Sequence, residues 1–358
     1  GYSFASASDT EVILAAYDCY HERCVQYFDG MFSLAIWDEK QQTLFIARDR
    51  FGEKPFYYHK SKDAFYFASE MKALWAIGVE KTAEQKMLLN YLSLGNVQNP
   101  SNKAATFFKN ILSLPPAHYA ILDLHSMELQ AVQYWNIDKL FSQKIHEDSI
   151  MHKLDLLMKT SVGRRLRSDV PVGCSLSGGI DSSSIAYYVN MMLRNNVADS
   201  VFKSFTAVFP GFEKDEGLYA TEVAASMQFQ NFTVTPTAQG LVEDFEKLVY
   251  HQEEPFPSSS IYAQYKVYQL AKQNNVTVLL DGQGADETMS GYQRYLHWYI
   301  QELYGNYYLR TAKKEKKLLQ ENYPGFHWGI KNLAASFFPA HVSLALEKRE
   351  YKKIAHNH

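Results

Sequence analysis

The strongest constraint on the fold is the alternation of apolar runs with helical segments after residue 145. The predicted elements are a helix at 146–167, a strand at 172–176, a helix at 183–194, a strand at 204–209, a helix at 215–227, a strand at 232–235, helices at 241–251 and 262–274, and a strand at 276–280. Parallel strands need a long crossover between them, usually a helix. This order therefore predicts a doubly wound parallel sheet with helices on both faces.

The first third of the chain has a different pattern, in which strand-like runs follow one another with few residues between them. The predicted strands lie at residues 31–37, 43–47, 55–58, 64–68 and 119–124, with short helices at 11–20 and 70–77. Strands so closely spaced are typical of antiparallel sheet. We therefore predict an α+β domain over residues 1–140 and an α/β domain over residues 141–358.

Composition excludes several classes of protein. With 36 Lys and Arg against 39 Asp and Glu, the net charge of -3 gives no electrostatic reason to expect a nucleic-acid partner. No apolar run reaches the roughly 20 residues of a membrane span and no signal peptide is visible, so we expect no membrane partner. Cys19, Cys24 and Cys174 are too few for a disulfide framework, are predicted to be structural and fit a cytoplasmic location. Because the chain opens with Gly1 and not with Met, we expect a fragment.

A candidate phosphate loop lies between the first predicted strand of the parallel sheet and the next helix. It reads Ser-Gly-Gly-Ile-Asp-Ser-Ser at residues 177–183. Two glycines let the backbone approach an anion closely, and the N–H groups of the next helical turn bind it. Asp181 would repel a phosphate unless a divalent cation lies between them, and its oxygen ligands suit Mg²⁺. The alternative is a Gly-Gly turn with a Ser/Asp helix cap. The loop lacks the lysine of a Walker A motif, which disfavours a P-loop kinase or GTPase.

A second glycine-rich loop follows the last predicted strand. Residues 281–287 read Asp-Gly-Gln-Gly-Ala-Asp-Glu after the continuous apolar run 276–280. Ligands of doubly wound sheets bind outside the carboxyl ends of the strands, so the two loops could meet over one nucleotide. Asp181 and Asp286 would then hold Mg²⁺ against a pyrophosphate group. The alternative is an Asp/Gly turn in which Asp286 and Glu287 cap the next helix.

Together the two loops resemble the synthetase domain of glutamine-hydrolysing asparagine synthetases. Residues 177–182 are similar to the pyrophosphatase loop of the N-type ATP pyrophosphatases, and residues 280–287 with 291–292 complete the family's pattern. The resemblance runs from Ser8 to about Tyr295.

The first third of the chain supports the same resemblance independently. Residues 28–38, 47–58 and 67–74 resemble the second half of a class II glutamine amidotransferase domain. The resemblance therefore implies a partial antiparallel domain of the N-terminal-nucleophile type, followed by an ATP pyrophosphatase domain.

The resemblance implies an ATP-dependent amide-forming ligase, an asparagine synthase that forms AMP and pyrophosphate. In this family the side-chain carboxylate of aspartate is adenylated, pyrophosphate leaves, and ammonia from glutamine displaces AMP to give asparagine. The implied partners are small molecules: ATP with Mg²⁺, glutamine or ammonia, and aspartate or another carboxylate. A cytoplasmic homodimer is also implied.

The resemblance also assigns roles to individual residues. Asp181, Asp286 and Gln283 would act in catalysis, the two aspartates as metal ligands, and Asp9 would bind the α-amino group of glutamine. The residues implied to line the ATP site are Ser175, Leu176, Ser177, Gly178, Gly179, Ser182, Ala207, Asp281 and Gly282.

Three departures from the family limit these expectations. The family's glutaminase nucleophile is an N-terminal cysteine, whereas this chain starts at Gly1, so we expect no glutamine hydrolysis by the chain as given. Glutamine at position 283 replaces a glutamate of the best-known asparagine synthetases and cannot act as a general base. The family's later lysine motif is not found after Tyr295, and none of the lysines in 313–317 can be assigned its role, so the C-terminal part is expected to be missing.

Three alternative functions stay open at this point. The first is an asparagine-synthetase-like amidotransferase that acts on another carboxylate, such as a sugar acid or a peptide precursor. The second is a different adenylating pyrophosphatase, which the amidotransferase resemblance disfavours. The third is an inactive fragment that binds ATP. The run Glu-Glu-Pro-Phe at residues 253–256 is expected to form a loop near the acceptor pocket.

Overall fold

The computed structural model of the chain describes residues 2–137, 147–194, 201–323, 325–339 and 341–342. The predicted boundary between residues 140 and 141 lies outside these residues. The chain divides into two compact units. The N-terminal unit comprises Gly1–His152 and Pro236–Lys266, and the C-terminal unit comprises Lys153–Thr235 and Val267–His358.

The helices and strands are as follows in chain order. Before residue 137 they are α1 (Asp9–Tyr20), β1 (Ser33–Asp38), β2 (Thr43–Arg48), β3 (Tyr57–Lys60), β4 (Phe65–Ala68), α2 (Met71–Ala76), α3 (Gln85–Leu94), β5 (Leu112–Ser113), β6 (His118–Asp123) and β7 (Leu129–Gln133), with a 3-10 helix at His21–Gln26. After residue 146 they are α4 (Glu147–Arg165), β8 (Val172–Ser175), α5 (Ile180–Arg194), β9 (Lys203–Ala207), α6 (Gly217–Met227), β10 (Gln230–Val234), α7 (Ala238–Gln252), α8 (Ser260–Gln273), β11 (Val278–Leu280), α9 (Ala285–Met289), α10 (Gln293–Gly305), α11 (Leu309–Asn322) and α12 (Ile330–Phe337).

Two antiparallel sheets form the N-terminal unit, as the closely spaced runs predict. Their strand orders are β1-β2-β6-β7 and β4-β3-β5. β2 is covered on both faces, because Phe45 and Ala47 pack into one apolar cluster and Ile46 into another, and all three are fully buried. A strand buried on both faces explains why residues 43–47 read as a nearly continuous apolar run.

The sheet of the C-terminal unit is parallel throughout and has the strand order β10-β9-β8-β11. One face packs Cys174 against α5 and α6, with Ala186 and Ala220 in the same cluster. The other face packs Phe205 against Ala271 of α8. Helices on both faces confirm the predicted doubly wound class. The order of the strands reverses between β8 and β11, which is where such sheets bind their ligands.

The helices after β11 have a smaller apolar cluster of their own. Ile300 and Tyr304 of α10 pack there with Ala312 of α11 and with Phe326. None of the helices in the described part of the chain combines the length and apolarity that crossing a bilayer requires.

Candidate functional site at the switch point of the parallel sheet

The two predicted loops leave the sheet side by side. Leu280, the last residue of β11, pairs with Cys174 of β8, so the chain enters both loops from neighbouring strand ends. A Cβ placed on Gly282 would lie 3.0 Å from the Cβ of Asp181 and 3.2 Å from the backbone nitrogen of Ser182. The second loop therefore packs against the first turn of α5, and only a glycine fits there without displacing it.

The phosphate loop is held together by the hydroxyl of Ser182. This hydroxyl accepts the N–H of Ser177 at 3.2 Å, donates to the carbonyl of Gly179 at 3.2 Å and lies 3.0 Å from the Ser177 hydroxyl. Ser182 is 7% exposed, whereas Ser177 is exposed. Of the two serines, Ser177 is therefore the one available to a ligand, and Ser182 holds the shape of the loop.

Gly178 is the glycine on which the turn depends. Its φ of +84° lies in the left-handed region that side chains rarely adopt. A Cβ there would lie 2.5 Å from the backbone nitrogen of Ala220 and 2.6 Å from the Cβ of Tyr219, both on α6. The loop can approach α6 this closely only because residue 178 has no side chain.

The two proposed metal-binding carboxylates lie in the first turns of two helices. Asp181 is in the first turn of α5 and Asp286 in the first turn of α9. Gly291 lies against Asp286: its N–H donates to the Asp286 carbonyl at 2.9 Å, and a Cβ there would overlap the carboxylate.

The carboxylates of Asp181 and Asp286 suit a cation that is also bound by the phosphates of the substrate. In the parts of the chain that the structure describes, no group of three or more His, Cys, Asp or Glu side chains could hold a metal ion. Mg²⁺, however, is commonly held by one or two carboxylates together with substrate phosphates. The two carboxylates, Asp181 and Asp286, are compatible with that mode of binding.

Asp281 begins the second loop. The hydroxyl of Tyr268 on α8 donates to its carboxylate at 3.3 Å. Burial, with a smaller effect from the Asp281 charge, raises the pKa of the Cys174 thiol to about 12.

Gln283 follows in an exposed part of the loop. Ala207 ends β9, so it lies at the same edge of the sheet as both loops.

Sequence reasoning missed residues outside the loops that support them. The Thr206 hydroxyl on β9 donates to the carbonyl of Leu176 at 2.7 Å. The Asp215 carboxylate accepts the N–H groups of Phe209 and Gly217, at 3.0 and 3.2 Å, and so shapes the turn after β9. An Asp whose side chain accepts the N–H two residues further on forms an Asx-turn, which an Asp between a strand and a helix can indicate, whereas nothing in the sequence marks Thr206.

Asp9, the residue assigned to glutamine, belongs to the N-terminal unit. It is the exposed first residue of α1, and its neighbour Ser8 caps that helix by accepting the N–H of Thr10. The hydroxyl of Ser6, and then the N–H groups of Ala5 and Ser6, donate to Glu11 and lower the pKa of its carboxyl. These bonds fold residues 5–6 back onto the start of α1.

Residues 253–256 belong to the N-terminal unit. The Glu253 carboxylate accepts the N–H groups of Met71 and Lys72, each at 2.8 Å, and pairs with the Lys72 ammonium at 3.1 Å. Glu254 accepts the N–H of Phe107 at 2.7 Å. Residues 253–256 were predicted to form a loop near the acceptor pocket. In the structure, the carboxylates of Glu253 and Glu254 bind backbone N–H groups of the N-terminal unit.

Two families of known proteins match the chain. The family described as Asparagine synthase matches residues 153–356, and the family described as Glutamine amidotransferase domain matches residues 1–135. The glutamine-hydrolyzing asparagine synthetase 1 of Bacillus subtilis is 33% identical over 298 residues, which is 82% of this chain and 45% of that protein. Amidase chyE of Penicillium rubens is 29% identical over 308 residues, which is 82% of this chain and 44% of that protein. The chain spans about half the length of these curated relatives.

Proposed function

Because the chain belongs to the asparagine synthase family, we propose that it carries the nucleotide-binding part of an ATP-dependent ligase that converts aspartate to asparagine. The observation that carries this proposal is the contact of Gly282 with Asp181 and Ser182 at the switch point of the sheet. It brings a loop suited to phosphates and a loop with further carboxylates to the edge where doubly wound sheets bind nucleotides.

The reaction proceeds in two steps. An oxygen of the aspartate side chain attacks the α-phosphorus of ATP, the bond to the β-phosphate oxygen breaks, and pyrophosphate leaves. Ammonia then adds to the carbonyl carbon of the acyl-adenylate, loses a proton, and AMP departs with the former carboxylate oxygen. The barrier of the first step depends on the charge that develops on pyrophosphate, so positioning and electrostatic stabilisation supply most of the catalysis.

The residues of the two loops divide this work between them. Ser177 and the backbone of Gly178 bind the phosphates at the N-terminal end of α5, where the helix dipole favours negative charge. The N–H of Gly179, which donates to the Ser177 hydroxyl at 3.2 Å, orients that hydroxyl toward the phosphates. Ser175, Leu176 and Ser182 give that loop its shape. Ala207, Asp281 and Gly282 lie toward the adenosine.

Asp181 and Asp286 would hold Mg²⁺, which when bound neutralises charge on the phosphates. Each carboxylate needs the cation, because without it the negative charges of the loop and of pyrophosphate would repel one another. Gln283 has no charge, and its amide donates and accepts hydrogen bonds toward the reacting groups.

The nitrogen comes from glutamine in this proposal. The match of residues 1–135 to the amidotransferase family supports it. Asp9 binds the α-amino group of glutamine through its exposed carboxylate at the start of α1.

The proposal is tested by pyrophosphate release from Mg-ATP with ammonium as the nitrogen source. The natural polypeptide that contains this sequence is supplied with aspartate, or with a panel of other carboxylates. We expect release with aspartate, and a loss of about 100-fold in Asp181→Asn and Asp286→Asn. Glu222→Gln, which changes an exposed carboxylate on α6, serves as the matched control and keeps full activity. Release with another acid alone would replace aspartate as the acceptor, and unchanged turnover in both Asn variants would refute the metal-binding roles.

A further inference from the structure

The peptide group that opens the phosphate loop is held from both sides by buried hydroxyls. Its carbonyl, on Leu176, accepts the hydroxyl of Thr206 at 2.7 Å, and its N–H, on Ser177, donates to the hydroxyl of Ser182 at 3.2 Å. A trans peptide is planar, so its C=O and N–H point in opposite directions. Two hydrogen bonds on opposite sides therefore determine the orientation of the whole peptide plane.

Thr206 is well placed to hold this orientation. It is 1% exposed, so water does not compete for its hydroxyl. The amide oxygen of Asn231 on β10 lies 3.1 Å from the same hydroxyl and also accepts the hydroxyl of Ser204 at 3.0 Å. Parallel pairing of β9 with β10 places Ser204 opposite Asn231, and so brings this row of polar groups together.

The orientation matters for the charge that the loop presents. A carbonyl that turned toward the ligand would place its negative end near the phosphates, whereas N–H groups attract them. Thr206 holds the Leu176 carbonyl against β9, in the interior of the sheet. Because this peptide is fixed, the chain leaves it in a defined direction. That direction sets the positions of the Ser177 hydroxyl and of the amides of Gly178 and Gly179.

We propose that Thr206 is a positioning residue for the phosphate loop: through the Leu176 carbonyl it sets the loop's conformation for the pyrophosphate end of the nucleotide. Thr206 itself touches no substrate. This inference rests on the proposed function, because it requires that residues 177–179 bind the phosphates of ATP.

The test is Thr206→Val, which replaces the hydroxyl by a methyl group of similar size. Calorimetry with Mg-pyrophosphate and with adenosine separates the two ends of the site. We expect the Kd for Mg-pyrophosphate to rise about tenfold and the Kd for adenosine to stay within about twofold. Thr206→Ser, which restores the hydroxyl, should recover most of the affinity.

Thr106→Val is the matched control. Thr106 is 4% exposed and donates to the Ile111 carbonyl at 2.7 Å, so the same substitution removes an equivalent bond in the N-terminal unit. It should lower the melting temperature without weakening pyrophosphate binding. Ser182→Ala removes the bond on the other side of the peptide and should weaken pyrophosphate binding even if Thr206→Val does not fold.

The outcomes are distinguishable from a failure of the proposed function. If the wild type does not bind Mg-ATP, the proposed function and this inference fall together. If the wild type binds Mg-ATP but Thr206→Val and Ser182→Ala bind pyrophosphate as tightly, only the positioning role is refuted. An equal loss of affinity for adenosine, or in Thr106→Val, would mean that general destabilisation and not the peptide orientation is responsible.

Discussion

The carboxylate of Glu254 accepts the backbone N–H of Phe107 at 2.7 Å, although 147 residues separate them in the sequence. Glu254 lies in the region that matches the asparagine synthase family, and Phe107 in the region that matches the amidotransferase family. Both belong to the N-terminal unit, which includes Pro236–Lys266. The family boundaries and the compact units of this chain therefore do not coincide. Residues 236–266 contribute to the stability of the amidotransferase region.

Replacing Glu253 by Gln should destabilise the N-terminal unit. The side chain of Glu253 is 6% exposed and accepts two backbone N–H groups in addition to the Lys72 ammonium. Loss of its charge weakens three bonds in a buried place, so the free energy of unfolding should fall by about 1–3 kcal/mol. Urea unfolding measures this difference.

Lys247→Ala supplies the control for the Glu253 experiment. Lys247 pairs with Asp244 at 3.9 Å, and its side chain is 71% exposed. An exposed pair contributes little, so this variant should stay within about 0.5 kcal/mol of the wild type. Equal effects of the two substitutions would contradict the anchoring role of Glu253.

Glu254 should make stability depend on pH in the opposite sense to an ordinary paired carboxylate. Burial raises the pKa of Glu254, the Phe107 N–H opposes this, and the charge of Glu253 adds to it. Because the pKa of Glu254 is higher in the folded than in the unfolded protein, protonation of Glu254 stabilises the fold. This stabilisation is complete below the unfolded pKa of about 4.3 and is lost as the pH rises through the folded pKa. Gln cannot ionise, so the Glu254→Gln variant does not lose this stabilisation as the pH rises. Its free energy of unfolding relative to the wild type should therefore increase from about pH 4 to about pH 7. Thermal unfolding across this range checks the slope, and a constant difference would contradict the explanation.

The fold could be predicted in outline because its signals are local. The apolar run at 276–280 and the segments of helical periodicity indicated parallel strands with crossovers, and β8 and β11 then place both loops at one edge. The contacts of Glu253 and Glu254 could not be predicted, since a Glu-Glu pair carries no information about which distant N–H groups it will meet. Thr206 was missed for a similar reason: a threonine inside a strand is ordinary, and its role depends on the register between β8 and β9.

Gly178→Ala should impair both stability and nucleotide binding. The left-handed φ and the close approach of α6 both oppose a side chain, and together they should cost about 2–5 kcal/mol. Gly211 separates the two causes, because its φ is +85° and a Cβ there would meet nothing within 4 Å. Gly211→Ala should therefore cost only about 1–2 kcal/mol and keep Mg-ATP binding. Similar results for the two variants would show that packing against α6 is unimportant.

Native labelling with a maleimide should modify one of the three cysteines. Cys24 and Cys174 are fully buried, and burial raises the pKa of their thiols to about 11 and about 12, which keeps them protonated and unreactive. Cys19 is exposed. Mass spectrometry should find Cys19 labelled in the native protein and all three cysteines labelled in denaturant. Rapid native labelling of Cys174 would contradict the close packing beneath the phosphate loop.

In the function proposed here, the loops at the carboxyl ends of β8 and β11 hold ATP while a carboxylate is joined to AMP. The most direct measurement follows oxygen from aspartate whose side-chain carboxylate carries an ¹⁸O label, with Mg-ATP and ammonium supplied to the natural polypeptide that contains this sequence. We expect the label in the phosphate of AMP, because the acyl-adenylate breaks between the carbonyl carbon and that oxygen. Formation of ADP with the label in inorganic phosphate, or of AMP without the label, would contradict adenylation of the aspartate carboxylate.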